Sequence, residues 1–168
     1  MKTALFYGST TGNTEDIAEQ IQRSMDNVEL FDVADETLDQ LDGYDLIILG
    51  IPTWDYGEIQ SEWDDIWDDV DNVDFSGKTV TLYGLGDQVG YGEWFLDAMG
   101  LLHDKVKAKG ARMIGYWPVQ GYDFEASKAV TADGSKFVGL AVDEDCQHEL
   151  TDDRVQRWLQ QIVAEFEE

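Results

Sequence analysis

The chain has 168 residues, 43% hydrophobic and 12% aromatic, with 36 acidic against 11 basic side chains and a formal net charge of −25. That apolar content supports one domain (1–168) with a sizeable core and excludes a disordered chain, while the charge excludes nucleic-acid binding, which needs a positive footprint, and favours basic partners. A single cysteine, Cys146, excludes an internal disulfide, and "MKTALFYGSTTGN" turns polar too early for a signal peptide or membrane span, so a cytoplasmic protein with no membrane partner is expected.

Short β-rich runs alternate with helical patterns. Thr3–Tyr7 reads as a buried strand and Glu15–Met25 as a helix with Ile17, Ala18, Ile21 and Met25 on one face. Val28–Val33 alternates as a strand, and Leu38 and Leu41 fall in a turn or short helix. Leu46–Ile51, "LIILGI", is a continuous apolar run of the kind found in central parallel strands. Glu62–Val70 has helical spacing of Trp63, Ile66, Trp67 and Val70, with both tryptophans assigned to the core. Thr79–Tyr83 is a strand, Trp94–Lys109 a long helix ended by Gly110, and Arg112–Tyr116 and Phe137–Val142 are strands. Asp153–Phe166 closes as a helix with Thr151 as its expected N-cap. Pro118–Lys136 is polar and turn-rich, and reads as an excursion within the last strand.

The alternation implies an α/β fold, a doubly wound parallel sheet with helices on both faces. Ligands of such sheets bind beyond the carboxyl ends of the strands, where strand order reverses. Three loops leave strands at that end, Gly8–Thr14, Pro52–Ile59 and Gly84–Trp94. The first, "GSTTGNT", lacks the glycine spacing and Lys of a Walker loop and lacks Gly-x-Gly-x-x-Gly. Its hydroxyls and the free amides at a helix N-terminus suit a phosphate without any cation; an ordinary capped helix start is the alternative. The second, "GIPTWDYGEIQ", exposes Trp54 and Tyr56 for stacking on a planar ligand, or for packing on the following helix. The third, "YGLGDQVGYGEWF", offers glycines for close backbone approach and Tyr91 as a second aromatic face.

Other groups carry less. His103 and His148 have no partners at metal-ligand spacing, Cys146 sits among acids that disfavour a thiolate, and no nucleophile–base pair stands out. No catalytic residue and no metal ligand is assigned. Between Arg23 and Lys78 there is no basic residue, and in "EIQSEWDDIWDDVDNVDF" eight of eighteen residues are acidic, a solvated helix face or an acidic docking surface.

Along its full length the sequence resembles the flavodoxin family, through "FYGSTTGNTE", "GIPTWDYGEIQSEW", "GLGDQVGY" and "GYDFEASKAV…KFVGLAVDED". The 118–136 excursion matches the insertion of the long-chain members, and "WDYGEI" and "LGDQVGYGEWFLDAMGLLHDK" are most similar to the second enterobacterial type. The resemblance implies a flavodoxin-like five-stranded sheet of order 2-1-3-4-5 and FMN as the non-covalent cofactor. It implies that Ser9, Thr10, Thr11, Gly12, Asn13 and Thr14 hold the phosphate, and that Pro52 leads into a loop where Thr53 meets the phosphate or ribityl chain. Trp54 then covers the inner face of the ring and Tyr91 the outer. Asp55, Tyr56 and Gly57 complete the second loop. The backbone of Gly84, Leu85, Gly86 and Asp87 follows the ring edge and ribityl side, Trp94 contributes a backbone contact, and Asp145 reaches a ribityl hydroxyl.

By the same resemblance the chain is a low-potential one-electron carrier and not an enzyme. It shuttles between semiquinone and hydroquinone FMN, as a monomer serving basic redox proteins, a flavodoxin/ferredoxin reductase and electron-accepting enzymes. In the family a second-loop peptide flips on reduction; here it is Asp55–Tyr56, and Tyr56 makes that flip costlier than Gly would. Two alternatives share parts of this pattern. An FMN-dependent NAD(P)H:quinone-type reductase shares the fold but needs a site for nicotinamide and substrate. A receiver-type signalling module needs acids where this chain has Tyr7-Gly8 and Gly50-Ile51.

Overall fold

The computed structural model describes residues 1–39 and 41–168. The elements in chain order are β1 (Thr3–Tyr7), α1 (Asn13–Ser24), β2 (Val28–Asp32), β3 (Leu46–Trp54), β4 (Glu58–Ile59), α2 (Ser61–Asp65) and α3 (Trp67–Val70). Then come β5 (Thr79–Leu85), a 3₁₀ turn (Gly92–Trp94), α4 (Asp97–Ala108), β6 (Arg112–Met113), β7 (Trp117–Pro118), β8 (Lys136–Phe137), β9 (Leu140–Val142), a second 3₁₀ turn (His148–Leu150) and α5 (Thr151–Phe166).

Parallel pairing runs β2-β1-β3-β5-β6, with β9 also on β5 and β4 antiparallel to β3. Counting the main strands, this is the expected order 2-1-3-4-5. Alternate residues of the central strands face opposite layers. Leu5, Leu46 and Ile48 pack with Ile17 and Ile21 of α1 and Val155 and Trp158 of α5. Ala4, Phe6, Ile47 and Leu49 pack with Trp63, Val70, and Met99, Leu102 and Val106 of α4. With helices on both sides, β1 is buried along its whole length, as its unbroken apolar run requires.

The last strand is divided. Arg112 and Met113 pair with Thr79 and Val80 at the start of β5, and Leu140–Val142 pair with Tyr83–Leu85 at its end. Between them β7 and β8 form a separate antiparallel hairpin. Gly115 is where the chain leaves the sheet. Its φ of 82 is left-handed, and an added Cβ would lie 2.1 Å from Thr81 Oγ1 and 3.0 Å from Trp158 Nε1.

Three expected helix boundaries are corrected. The Glu62–Val70 helix is two short pieces hinged at Ile66 (φ −109, ψ 9). Like charges at i,i+4, Asp64 with Asp68 and Asp65 with Asp69, disfavour a continuous helix. The break lets the fully buried Trp63 donate from Nε1 to Gly50 O at 2.9 Å while Trp67 lies under Lys105 Nζ, 4.9 Å from its ring centroid. The Trp94–Lys109 helix starts only at Asp97, because Leu96 is left-handed (φ 60). Burial of Phe95 among Tyr122, Phe124 and Phe137, and of Leu96 in the core, outweighs local helix preference there. Thr151 is not an N-cap: Leu150 precedes the helix, and Thr151 Oγ1 is buried without a partner among the described residues.

Two substitutions test this packing. Gly115→Ala forces a Cβ into Thr81 and Trp158 at a left-handed position, and is expected to cost more than about 3 kcal/mol in denaturant unfolding. Thr81→Val removes a fully buried hydroxyl without a partner at nearly equal volume, and is expected to stabilise by about 1 kcal/mol.

Candidate functional site

The loops after β1, β3 and β5 and the turn after β9 meet over the carboxyl edge of the sheet. They enclose a cleft of about 260 Å³. The wall comprises Thr10, Thr11, Asn13 and Thr14 from the first loop, Pro52, Thr53, Trp54 and Asp55 from the second, and Leu85, Gly86, Asp87, Tyr91, Trp94 and Phe95 from the third, with Asp145.

The first loop is organised by its own groups. Gly12 is left-handed (φ 94) and its amide donates to Ser9 Oγ at 3.0 Å. The Asp16 amide donates to Gly12 O at 2.9 Å, the first helical bond of α1. The amides of Thr10, Thr11, Asn13, Thr14 and Glu15 have no acceptor among the described residues. They are the orphan donors of a helix start, gathered at one rim of the cleft. Buried Tyr83 donates its hydroxyl to Thr14 O at 2.9 Å and ties this turn to β5. Gln60 Nε2 donates to Thr10 Oγ1 at 3.0 Å, which leaves the Thr10 proton free to donate.

In the second loop the Trp54↔Glu58 pair closes on Asp55-Tyr56-Gly57, with Asp55 at φ 42 and Gly57 at φ 85. Thr53 Oγ1 accepts from the Ala98 amide at 3.0 Å, fixing its hydroxyl against the start of α4. Trp54 Nε1 is buried with no partner among the described residues. In the third loop Asp87 Oδ1 accepts from the amides of Val89 (3.0 Å) and Gly90 (2.7 Å), so this carboxylate shapes the turn itself.

Of the residues expected at the site, Ser9, Gly12, Tyr56, Gly57 and Gly84 lie outside the cleft wall. Ser9 and Gly12 spend their groups on the loop's own turn. Gly84 is a buried sheet residue paired with Ile51 and Ala141. Tyr56 is 65% exposed and rests edge-on against Trp94 and Tyr91, at centroid distances of 5.0 and 6.1 Å. Gly57 packs beside Trp94 and Asp97.

Other residues that organise the cleft were not expected. Phe95 is in the wall, though its aromatic character is shared with a core position. Asp143 is fully buried, and its carboxylate accepts from Gln88 N (3.0 Å) and Nε2 (2.8 Å) and from the amides of Asp145 (3.0 Å) and Cys146 (2.9 Å). Gln88 Oε1 in turn accepts from the Asp123 amide, joining the third loop to the 118–136 segment. The acid directly after an apolar run, in "LAVDED", is the turn signal that marks Asp143.

The electrostatics are one-sided. None of the described wall residues is Lys or Arg, whereas Asp55, Asp87 and Asp145 are all present. The Asp145 carboxyl is held above its ordinary 3.8 by desolvation, then by the charges of Asp87, Asp143 and Glu144. Burial raises Asp97 as well, opposed by the Lys128 amide it accepts from at 2.8 Å. Cys146 is pushed up to about 11 by desolvation and by Asp87 and Asp143, so its thiol is protonated at neutral pH.

Orphan amides facing an aromatic wall at the switch point of a doubly wound sheet define an α/β protein with a nucleotide-type cleft. The flavodoxin family profile matches residues 5–158. Flavodoxin 2 of Escherichia coli K12 is 52% identical over 100% of this chain and 98% of its own length. Flavodoxin 1 of the same strain is 49% identical over 98% of this chain and 94% of its own. A Fusobacterium nucleatum flavodoxin solved bound to flavin mononucleotide superposes with a TM-score of 0.91 at 33% identity, covering 99% of each chain. The chain belongs to the flavodoxin family.

Raised carboxyls in the folded state mean that folding takes up protons. Their contribution to stability is therefore lost as pH rises from the ordinary value through the raised one, and recovered on acidification. The thermal midpoint of the chain without added cofactor is expected to rise as pH falls from neutral toward the ordinary carboxyl range. Asp97→Asn, which keeps an acceptor for Lys128 but cannot ionise, is expected to flatten that dependence in pH-resolved melts.

Proposed function

We propose that the cleft binds FMN without a covalent bond and that the chain is a low-potential one-electron carrier, not an enzyme. In this reading it cycles its cofactor between the one- and two-electron-reduced forms, as a monomeric cytoplasmic protein. Residues 1–168 act as one domain, with 118–136 as the long-chain insertion. The observation that carries the reading is the pairing of unpartnered amides on Thr10, Thr11, Asn13, Thr14 and Glu15 with an aromatic wall that holds no cation.

The residues present suit FMN. The amides and the hydroxyls of Thr10, Thr11 and Thr14 offer donors for a phosphate, each charge-assisted bond contributing roughly 1.5–3 kcal/mol. Thr53 keeps a hydroxyl proton to donate. Trp54 and Tyr91 stand on the loops that flank the slot for a flat ring, and Gly86 and Leu85 present backbone to its edge. The Asp55–Tyr56 peptide sits in a turn whose Tyr56 ring is held by Trp94 and Tyr91, which supports a costly reorientation of that peptide. When bound, FMN supplies the electron-accepting ring; the protein sets its potential. Asp55, Asp87 and Asp145 disfavour added negative charge in the cleft. One carboxylate at ~10 Å with an effective dielectric of about 40 contributes roughly 0.8 kcal/mol, or about 35 mV for one electron.

The docking surface proposed for basic redox partners, a flavodoxin/ferredoxin reductase and electron-accepting enzymes, is the 58–74 segment. Glu58, Asp64, Asp65, Asp68, Asp69, Asp71 and Asp74 are exposed on it, and of these Asp71 pairs with Lys105. Such a face raises association rate more than affinity. The cleft wall carries no described cation to seat an NADPH phosphate, which favours the carrier over a NAD(P)H:quinone-type reductase.

Three measurements test this. Addition of FMN to the cofactor-free chain is expected to quench tryptophan fluorescence and give a yellow 1:1 complex; no binding at micromolar concentrations removes the reading. Asp145→Asn is expected to raise the low-potential midpoint by about 35 mV in spectroelectrochemistry at low salt, and less at high salt. Replacing Asp64, Asp65, Asp68 and Asp69 together by Asn is expected to slow electron transfer with a basic reductase and reduce its salt dependence. Unchanged rates would discard the docking face.

A further inference from the structure

Glu62 is not part of the cleft wall, yet it touches the anion loop. From α2 its Oε2 accepts from the Ser9 amide at 3.2 Å, the amide adjoining the run of unpartnered donors. The approach is close by construction. A Cβ on Gly8 would lie 2.5 Å from Gln60 Oε1 and 2.7 Å from Trp63 Cδ1, so α2 sits directly on the loop's backbone. The groups that face Glu62 are the carboxylate of Asp32 at the end of β2, the Ser9 amide, and Gln60 of its own segment. No Lys, Arg or His pairs with it among the described residues. A half-buried carboxylate without a countercharge therefore stands where the loop would otherwise present only donors.

We propose that Glu62 makes the loop's affinity for a flavin phosphate proton-dependent: its carboxylate occupies the Ser9 amide and repels a bound phosphate, and protonation removes that repulsion. This rests on the FMN reading of the cleft. Partial burial, with Asp32 adding to it, raises the Glu62 carboxyl from 4.5, so its protonation begins at a higher pH than that of a free glutamate. The phosphate's own second ionisation, near 6, works in the opposite sense, since a dianion accepts more strongly from amides. The two effects separate by comparing Glu62→Gln with the parent chain, because the phosphate is common to both. Riboflavin, which lacks the phosphate, isolates the ring.

The experiment is a fluorescence titration of the cofactor-free chain and Glu62→Gln with FMN and with riboflavin, at pH 8 and pH 5. At pH 8 Glu62→Gln is expected to bind FMN about tenfold more tightly than the parent, with riboflavin affinity unchanged. At pH 5 the FMN difference is expected to shrink. Asp32→Asn, which leaves Glu62 in place, is expected to move the acid shoulder of the parent's FMN-to-riboflavin affinity ratio to lower pH. Equal FMN affinity at pH 8, weaker FMN binding by Glu62→Gln at both pH values, or an equal gain for riboflavin overturns the proposal while leaving the FMN reading intact. Absence of FMN binding by the parent chain overturns both.

Discussion

A run of unpartnered amides beside a described cleft wall without Lys or Arg, the proposed anion site, is the constraint on which this structure turns. Backbone amides can hold a phosphate only if no protein group pairs with them, and a helix start supplies a run of such amides. The chain meets this at the first turn of α1. Gly12 takes a left-handed conformation before the helix, and Ser9 Oγ accepts from the Gly12 amide. Tyr83, on β5 and on the same face of the sheet as α1, donates to Thr14 O and ties the helix start to the sheet. The proposed phosphate site is therefore a product of the β1–β3–β5 arrangement as much as of the loop that forms it.

The same logic explains the cleft's other walls. Asp87 and Asp143 look like candidates for chemistry by residue type, but each is consumed by amides. Asp87 folds the third loop on itself, and Asp143 joins that loop to the turn after β9. Gln88 extends the connection to the 118–136 segment. That segment is thereby stapled to the cleft rim, a contact that follows from the last strand being split at Gly115 with both halves returned to β5.

Charge acts on two length scales. Close to the cleft, individual carboxylates set the local potential, and in the absence of nearby cations their desolvation is not compensated. Over the whole surface the net charge of −25 gives a field that would steer the proposed basic partners. Trp63 and Trp67, one helical turn apart in sequence, end in different environments because the acidic run between and after them does not sustain one helix.

The sequence by itself determined the alternation of strands and helices, the excursion in the last strand and the three loops at the carboxyl edge. These are periodic or local properties: apolar runs, turn residues and hydroxyls adjoining a helical pattern. It also determined the family, because the motifs span the full chain. Only the tertiary structure decided that Leu96 turns left-handed, that Phe95 joins the cleft, that Gly84 is locked in the sheet and that Thr151 caps nothing. Each depends on which buried partner a side chain meets, and burial among residues distant in sequence outweighs the local preferences that a sequence displays. Glu62 is the clearest case: in the sequence it is one acid among eight in a run, and its contact with Ser9 exists only because α2 folds back onto the first loop.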